Sequence, residues 1–240
     1  MTQRVVPAFV DLSASQVEEV YAHLRDAYVE QETAPPILRP VHILRFGVRP
    51  GARYHGSDLP CWWHAPGKPV VMVLALDALR SPYNDERIDR EMVSLSTPFT
   101  LHDTPTRVQK RTGYWRFIEA LISECSVYVT DLYKVYFKDA GGRASHALGD
   151  YTAHPLHARA LALELELVRP DVVITMGNVA ASGFRSLGLH GPRHIALPHL
   201  SNAANGAKKK FMARHGGMGP LATFPEWAAT FALASASITR

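Results

Sequence analysis

From residue 70 onward, short unbroken apolar runs alternate with longer stretches in which apolar positions recur every three or four residues. Residues 70–76, 127–130, 172–175 and 194–197 are runs of strand length, rich in Val and Ile. Residues 114–123, 156–168, 179–187 and 224–234 carry helical spacing, the last with Pro225 in its first turn. Strands that are apolar on both faces and separated by helices predict a parallel sheet covered on both sides. The expected fold is α/β, a three-layer α/β/α sandwich around a central four-stranded parallel sheet.

The segment before residue 70 reads differently. Residues 13–31 have an amphipathic helical pattern that opens with Ser13 and Gln16 as a capping box. Residues 33–69 hold seven of the 17 prolines among short apolar pieces, and read as an extended surface connector. The expected organisation is therefore residues 1–69 as a helix and Pro-rich connector packed on a main domain of residues 70–240.

Composition narrows the class. With 240 residues, 47% hydrophobic and 20% charged, the chain is neither disordered, collagen-like nor a coiled coil. Neither a membrane-length apolar run nor a secretory leader is read, so a cytoplasmic location is expected. Cys61 and Cys125 stand far apart without a CxxC partner, which excludes a disulfide framework, an iron-sulfur cluster and a four-cysteine zinc site. No metal and no cofactor are expected, and the chain is expected to be a monomer.

The net charge of +4 is unevenly spread. Residues 172–225 contain no Asp or Glu, yet include Arg185, Arg193, Lys208, Lys209, Lys210 and Arg214. A basic segment on a near-neutral body points to a polyanion: DNA, RNA or a phosphorylated ligand. The simpler alternative for Lys208–Lys210 is a solvated start of a helix.

In open α/β sheets ligands sit beyond the carboxyl ends of the strands. That rule selects Asp77, Asp131, Asn178 with Gly177, and His199 in the loop of residues 198–205. Each has a structural alternative, as a helix cap, a turn cap or a loop histidine. Together they place two acids, an amide and a histidine on one edge, beside the basic segment.

The order and spacing of these motifs resemble the uracil-DNA glycosylase superfamily over roughly residues 70–212. Residues 71–78 resemble its first motif, a buried strand ending in a water-directing acid, here Asp77, although Leu76 and Ala78 depart from the family's Gln and Pro. Thr97-Pro98-Phe99 resembles the segment carrying the Phe that stacks on the extruded base. Residues 127–132 resemble the strand that ends in a base-reading Asn, replaced here by Asp131. Residues 169–178 resemble the third strand and its helix start, and His199-Leu200-Ser201-Asn202 resembles the closing His-Pro-Ser loop, with Leu200 in place of Pro.

The resemblance implies a single α/β/α domain that breaks the bond between deoxyribose and a base. Such a reaction passes through a sugar with oxocarbenium character and an anionic leaving base. Asp77 would serve the cationic sugar and a water, and His199 the base oxygen. Phe99 would stack on the flipped base, while Asp131 and Leu79 would shape its recognition. Asn178, Ser201, Lys208, Lys209, Lys210 and Arg214 would hold DNA phosphates.

An ionised Asp131 only accepts hydrogen bonds, so it suits the amino group of a cytosine and repels uracil O4; a protonated Asp would imitate Asn and restore uracil reading. Leu79 stands where strict uracil enzymes of the superfamily place a Tyr that excludes 5-substituted bases. The expected substrate is a flipped 5-modified cytosine, as in phage DNA, which would make the chain an anti-phage defence enzyme. The alternatives are a uracil repair glycosylase and a catalytically inactive DNA-binding protein of the same fold. A nucleoside or nucleotide hydrolase using the same edge also remains. Walker, GxGxxG, GxSxG and HExxH motifs do not occur.

Overall fold

The computed structural model describes residues 5–7, 54–58, 60–77, 92–96, 98–100, 112–133, 136–138, 155–189 and 191–237. The expected helix of residues 13–31 and the position of Leu79 lie outside the described residues.

Five strands build the central sheet: β3 (Cys61–Trp63), β4 (Val70–Asp77), β6 (Ser126–Tyr133), β8 (Val172–Met176) and β9 (Arg193–Leu197). Their order is β3-β6-β4-β8-β9. β6, β4, β8 and β9 run parallel, and β3 pairs antiparallel with β6 at the edge. The four apolar runs are thus the parallel strands of an α/β sheet. The fifth strand comes from the segment expected to be a connector. A second sheet joins Val5–Pro7 (β1), Met92–Ser96 (β5), Tyr54–Asp58 (β2) and Tyr136–Lys138 (β7), in that order.

Helices cover both faces of the central sheet. Val71, Val73, Val127, Val129, Ile174 and Leu197 point to one side, where they meet α1 (Gly113–Ile122), α4 (Asn205–Arg214) and α5 (Phe224–Ser235). Met72, Leu74, Tyr128 and Val173 point to the other, where Leu161 of α2 (Pro155–Val168) and Phe184 of α3 (Asn178–Ser186) close the layer. This division is the period-two consequence of strands apolar at every position.

Local chemistry sets the helix positions. The Thr112 hydroxyl accepts the Trp115 N–H and caps α1. Arg116 forms a two-pronged ion pair with Glu226, at 2.6 and 2.7 Å, which binds α1 to α5. At the far end of the sheet the Asp171 carboxylate accepts the Val70 N–H, and the Asp171 N–H donates to the Val70 carbonyl, fixing the register of β4 against β8.

Candidate active site

Register brings the candidate residues to one edge. Leu74 lies opposite Thr175, and Met176 opposite Leu197. Asp77 ends β4, Asn178 opens α3 two residues after β8 and His199 follows β9 by two residues, so all three stand at the carboxyl edge of three neighbouring strands. Asp77 is the last residue of β4 and pairs with Tyr133 of β6; Asp131 pairs with Ala75, two residues deeper. Asp77 is half-buried, whereas Asp131 is 1% exposed. Counting along the strand, Asp131 falls on the same face as Val127 and Val129, the side of the sheet covered by α1.

His199 is the best-defined part of the site. Gly177, at φ +93°, turns the chain from β8 into α3 and lies so close to His199 that a Cβ there would sit 3.4 Å from the His199 Cβ. The backbone N–H of Ser201 donates to His199 Nδ1 at 3.3 Å, and Ser201 Oγ lies 2.8 Å from the same nitrogen. A backbone N–H cannot accept, so Nδ1 is the acceptor and the neutral ring carries its proton on Nε2. Burial, and then the nearby Lys208 charge, push the His199 pKa down from its ordinary value. The imidazole is therefore neutral at pH 7 and offers an Nε2–H.

Tyr114, an ordinary helix residue by its sequence pattern, joins two of the expected site residues. Its ring stacks on Phe99 at 4.2 Å between centroids and 9° between planes, and meets His199 edge-on at 5.7 Å. Its hydroxyl lies 3.5 Å from both ring nitrogens of His199, and burial raises its pKa to about 12, so it remains a phenol. Phe99 sits in a short 3-10 turn at φ 55°, a conformation that non-glycine residues seldom adopt. One face of Phe99 is covered by Tyr114. The only sequence signal for Tyr114 is its place just after the Thr112-Gly113 helix start.

The expected phosphate-binding residues divide. Asn178 is exposed at the start of α3, and Lys209, Lys210 and Arg214 are exposed on α4. Ser201 is engaged with His199. Lys208 is turned inward: it is 5% exposed, and its ammonium donates to the Leu200 carbonyl at 3.2 Å. Among the described residues no group of three His, Cys, Asp or Glu side chains gathers as a metal site, and no helix is long and apolar enough to cross a membrane.

Residues 40–215 match the family model of the uracil DNA glycosylase superfamily. The chain belongs to the uracil DNA glycosylase superfamily. No individual curated protein matches it in sequence. The superfamily match begins 30 residues before β4 and so takes in β2 and β3 as well as the parallel strands. Members of this superfamily are typically DNA glycosylases, which gives the strand-end acid, histidine and aromatic a common chemical context.

Proposed function

We propose that this superfamily member hydrolyses the N-glycosidic bond of a pyrimidine flipped out of DNA, with a 5-modified cytosine as substrate. The observation that carries the reading is the placement of His199, whose Nδ1 accepts from the Ser201 N–H and so leaves Nε2 to donate, on the sheet edge that also carries Asp77. As the bond between C1′ and the base nitrogen breaks, its electron pair moves into the base and charge collects on the base oxygen. The Nε2–H, held in place by the Ser201 N–H at the other ring nitrogen, donates a hydrogen bond to that oxygen and stabilises it. The sugar becomes cationic, and the Asp77 carboxylate both stabilises it and orients the water whose oxygen bonds to C1′, taking up the proton that this water loses, while the departed base anion is protonated from solvent. Phe99, backed by Tyr114, stacks on the base. Asp131, as a carboxylate, accepts from the exocyclic amino group of cytosine. The exposed Lys209, Lys210 and Arg214 and the N–H groups at the start of α3 hold phosphates. Acting on phage DNA would make the enzyme one of defence.

The test is incubation with duplexes containing uracil, cytosine, 5-hydroxymethylcytosine or its glucosylated form, followed by mass measurement of released base. Release from a modified-cytosine duplex is expected, and Asp77→Asn should lower its rate by about 100-fold or more while DNA affinity holds. DNA binding with no free base from any duplex would instead favour an inactive binding protein, a reading that the altered residues Leu76 and Ala78 beside Asp77 keep open.

A further inference from the structure

The three consecutive lysines occupy different environments. Lys209 and Lys210 face solvent, but Lys208 is inserted beneath the loop that carries His199. Its Nζ donates to the Leu200 carbonyl at 3.2 Å and lies 5.8 Å from the centre of the Phe224 ring. Among the described residues no carboxylate pairs with it. A buried ammonium held by one carbonyl and one ring face is costly to desolvate, and a methionine would fill the same space without that cost. The charge therefore calls for a role beyond packing.

We propose that Lys208 is a positioning residue for His199: its ammonium ties down the carbonyl of the next residue, Leu200, from inside and sets a fixed positive charge beneath the loop that carries the imidazole. Among the described residues the groups facing His199 are the Tyr114 phenol of α1, Ser201 of its own loop, the backbone at Gly177 and Lys208 of α4. Phe224 and Pro225 of α5 bring no charge, and Asp77 stands two strands away. Lys208 is thus the charge that opposes protonation of the ring, in line with the depressed pKa of His199. The tie to Leu200 holds the residue between His199 and Ser201, whose N–H selects the tautomer.

The consequence for rate rests on the glycosylase reading, whereas the effect on His199 does not, and the experiment separates the two. Side-chain nitrogen NMR of the full chain, with the His199 signal assigned by its loss in His199→Gln, follows the imidazole through a pH titration. It is run for wild type, Lys208→Met and Lys208→Gln; the glutamine keeps an N–H donor for Leu200 but not the charge. The His199 midpoint is expected to move upward in both variants. In step with it, the acid limb of base release from uracil and 5-hydroxymethylcytosine duplexes should move to higher pH, leaving the rate on the alkaline side nearly unchanged for Lys208→Gln. A midpoint unmoved in both variants overturns the proposal, and so does a moved midpoint with an unmoved acid limb. A moved midpoint in a protein that releases no base supports the electrostatic role and overturns the glycosylase reading instead. If Lys208→Met does not fold, the glutamine variant decides alone.

Discussion

Asp131 differs from asparagine by one group, an oxygen where the amide carries NH2, and at 1% exposure that group determines which partner it can meet. In the proposed reaction a carboxylate offers only acceptors, which suit a cytosine amino group, while an amide can turn a donor toward uracil O4. Asp131→Asn is expected to shift preference toward uracil by about 5- to 150-fold, the equivalent of roughly 1–3 kcal/mol for one mismatched buried polar contact. Competition between uracil and modified-cytosine duplexes measures it, and an unchanged ratio would mean that Asp131 does not read the base. At this scale the sequence is partly legible. His199 and Ser201 stand in a motif whose spacing can be read, but the roles of Tyr114 and Lys208 depend on packing. The signal for Lys208 is there in another form: Lys208, Phe211, Met212 and His215 follow the spacing of one helix face, so the turn that buries Met212 also brings Lys208 inward. Three lysines in a row, taken as a charge run, conceal that stripe.

Among the elements, three of the four parallel strands are legible to within one residue per end because unbroken β-branched runs have few other uses in a chain of this composition, while the run of residues 127–130 stops three residues short of the end of its strand at Tyr133. The edge strand Cys61–Trp63 is not, since three residues carry no period and this strand's placement depends on pairing with β6. The second sheet escapes for a related reason: its strands are short and far apart in sequence, and nothing local marks Tyr54–Asp58 as a partner for Met92–Ser96. The way α3 packs is equally nonlocal. A Cβ on Gly183 would come within 2.6 Å of Leu132 Cδ2 and 2.8 Å of the Tyr133 hydroxyl, so any larger residue there has to displace the ends of these two buried side chains. Gly183→Ala should therefore destabilise the protein despite the better helix propensity of alanine, by about 1–3 kcal/mol from overpacking. Chemical denaturation checks this, and a variant as stable as wild type would show that β6 and α3 yield without cost. Because Tyr133 pairs with Asp77, base release should fall in the same variant.

At the scale of the whole molecule, the acid-free stretch of residues 172–225 places its charges in two layers. Arg185, Arg193, Lys209, Lys210 and Arg214 lie outside, and Lys208 lies inside, as do in part His194 and His199. Replacing Lys209, Lys210 and Arg214 of α4 by alanine should weaken DNA binding for every sequence and flatten the dependence of affinity on salt by roughly one unit of slope for each phosphate left without its cation; an unchanged slope would return them to plain surface. The inner layer sets a pH dependence of stability. Burial lowers the pKa of both His194 and His199, helped by Arg185 at the first and Lys208 at the second, while His194 is also bound to Thr175 at 2.9 Å. In the unfolded chain both return to the ordinary value of 6.5. Below that value the unfolded state binds protons that the folded state refuses, so stability falls as pH drops from 6.5 toward the folded-state values and levels off beneath them. Unfolding in this window should take up at most about two protons, one for each ring. The measurement is the denaturation midpoint between about pH 7 and 5.5, above the range where carboxylates titrate. The decline should become shallower in a His194→Gln, His199→Gln double variant. An equal slope in wild type and variant would mean that the two rings titrate alike in the folded and unfolded chain, and the lowered pKa assigned to them would have to be withdrawn.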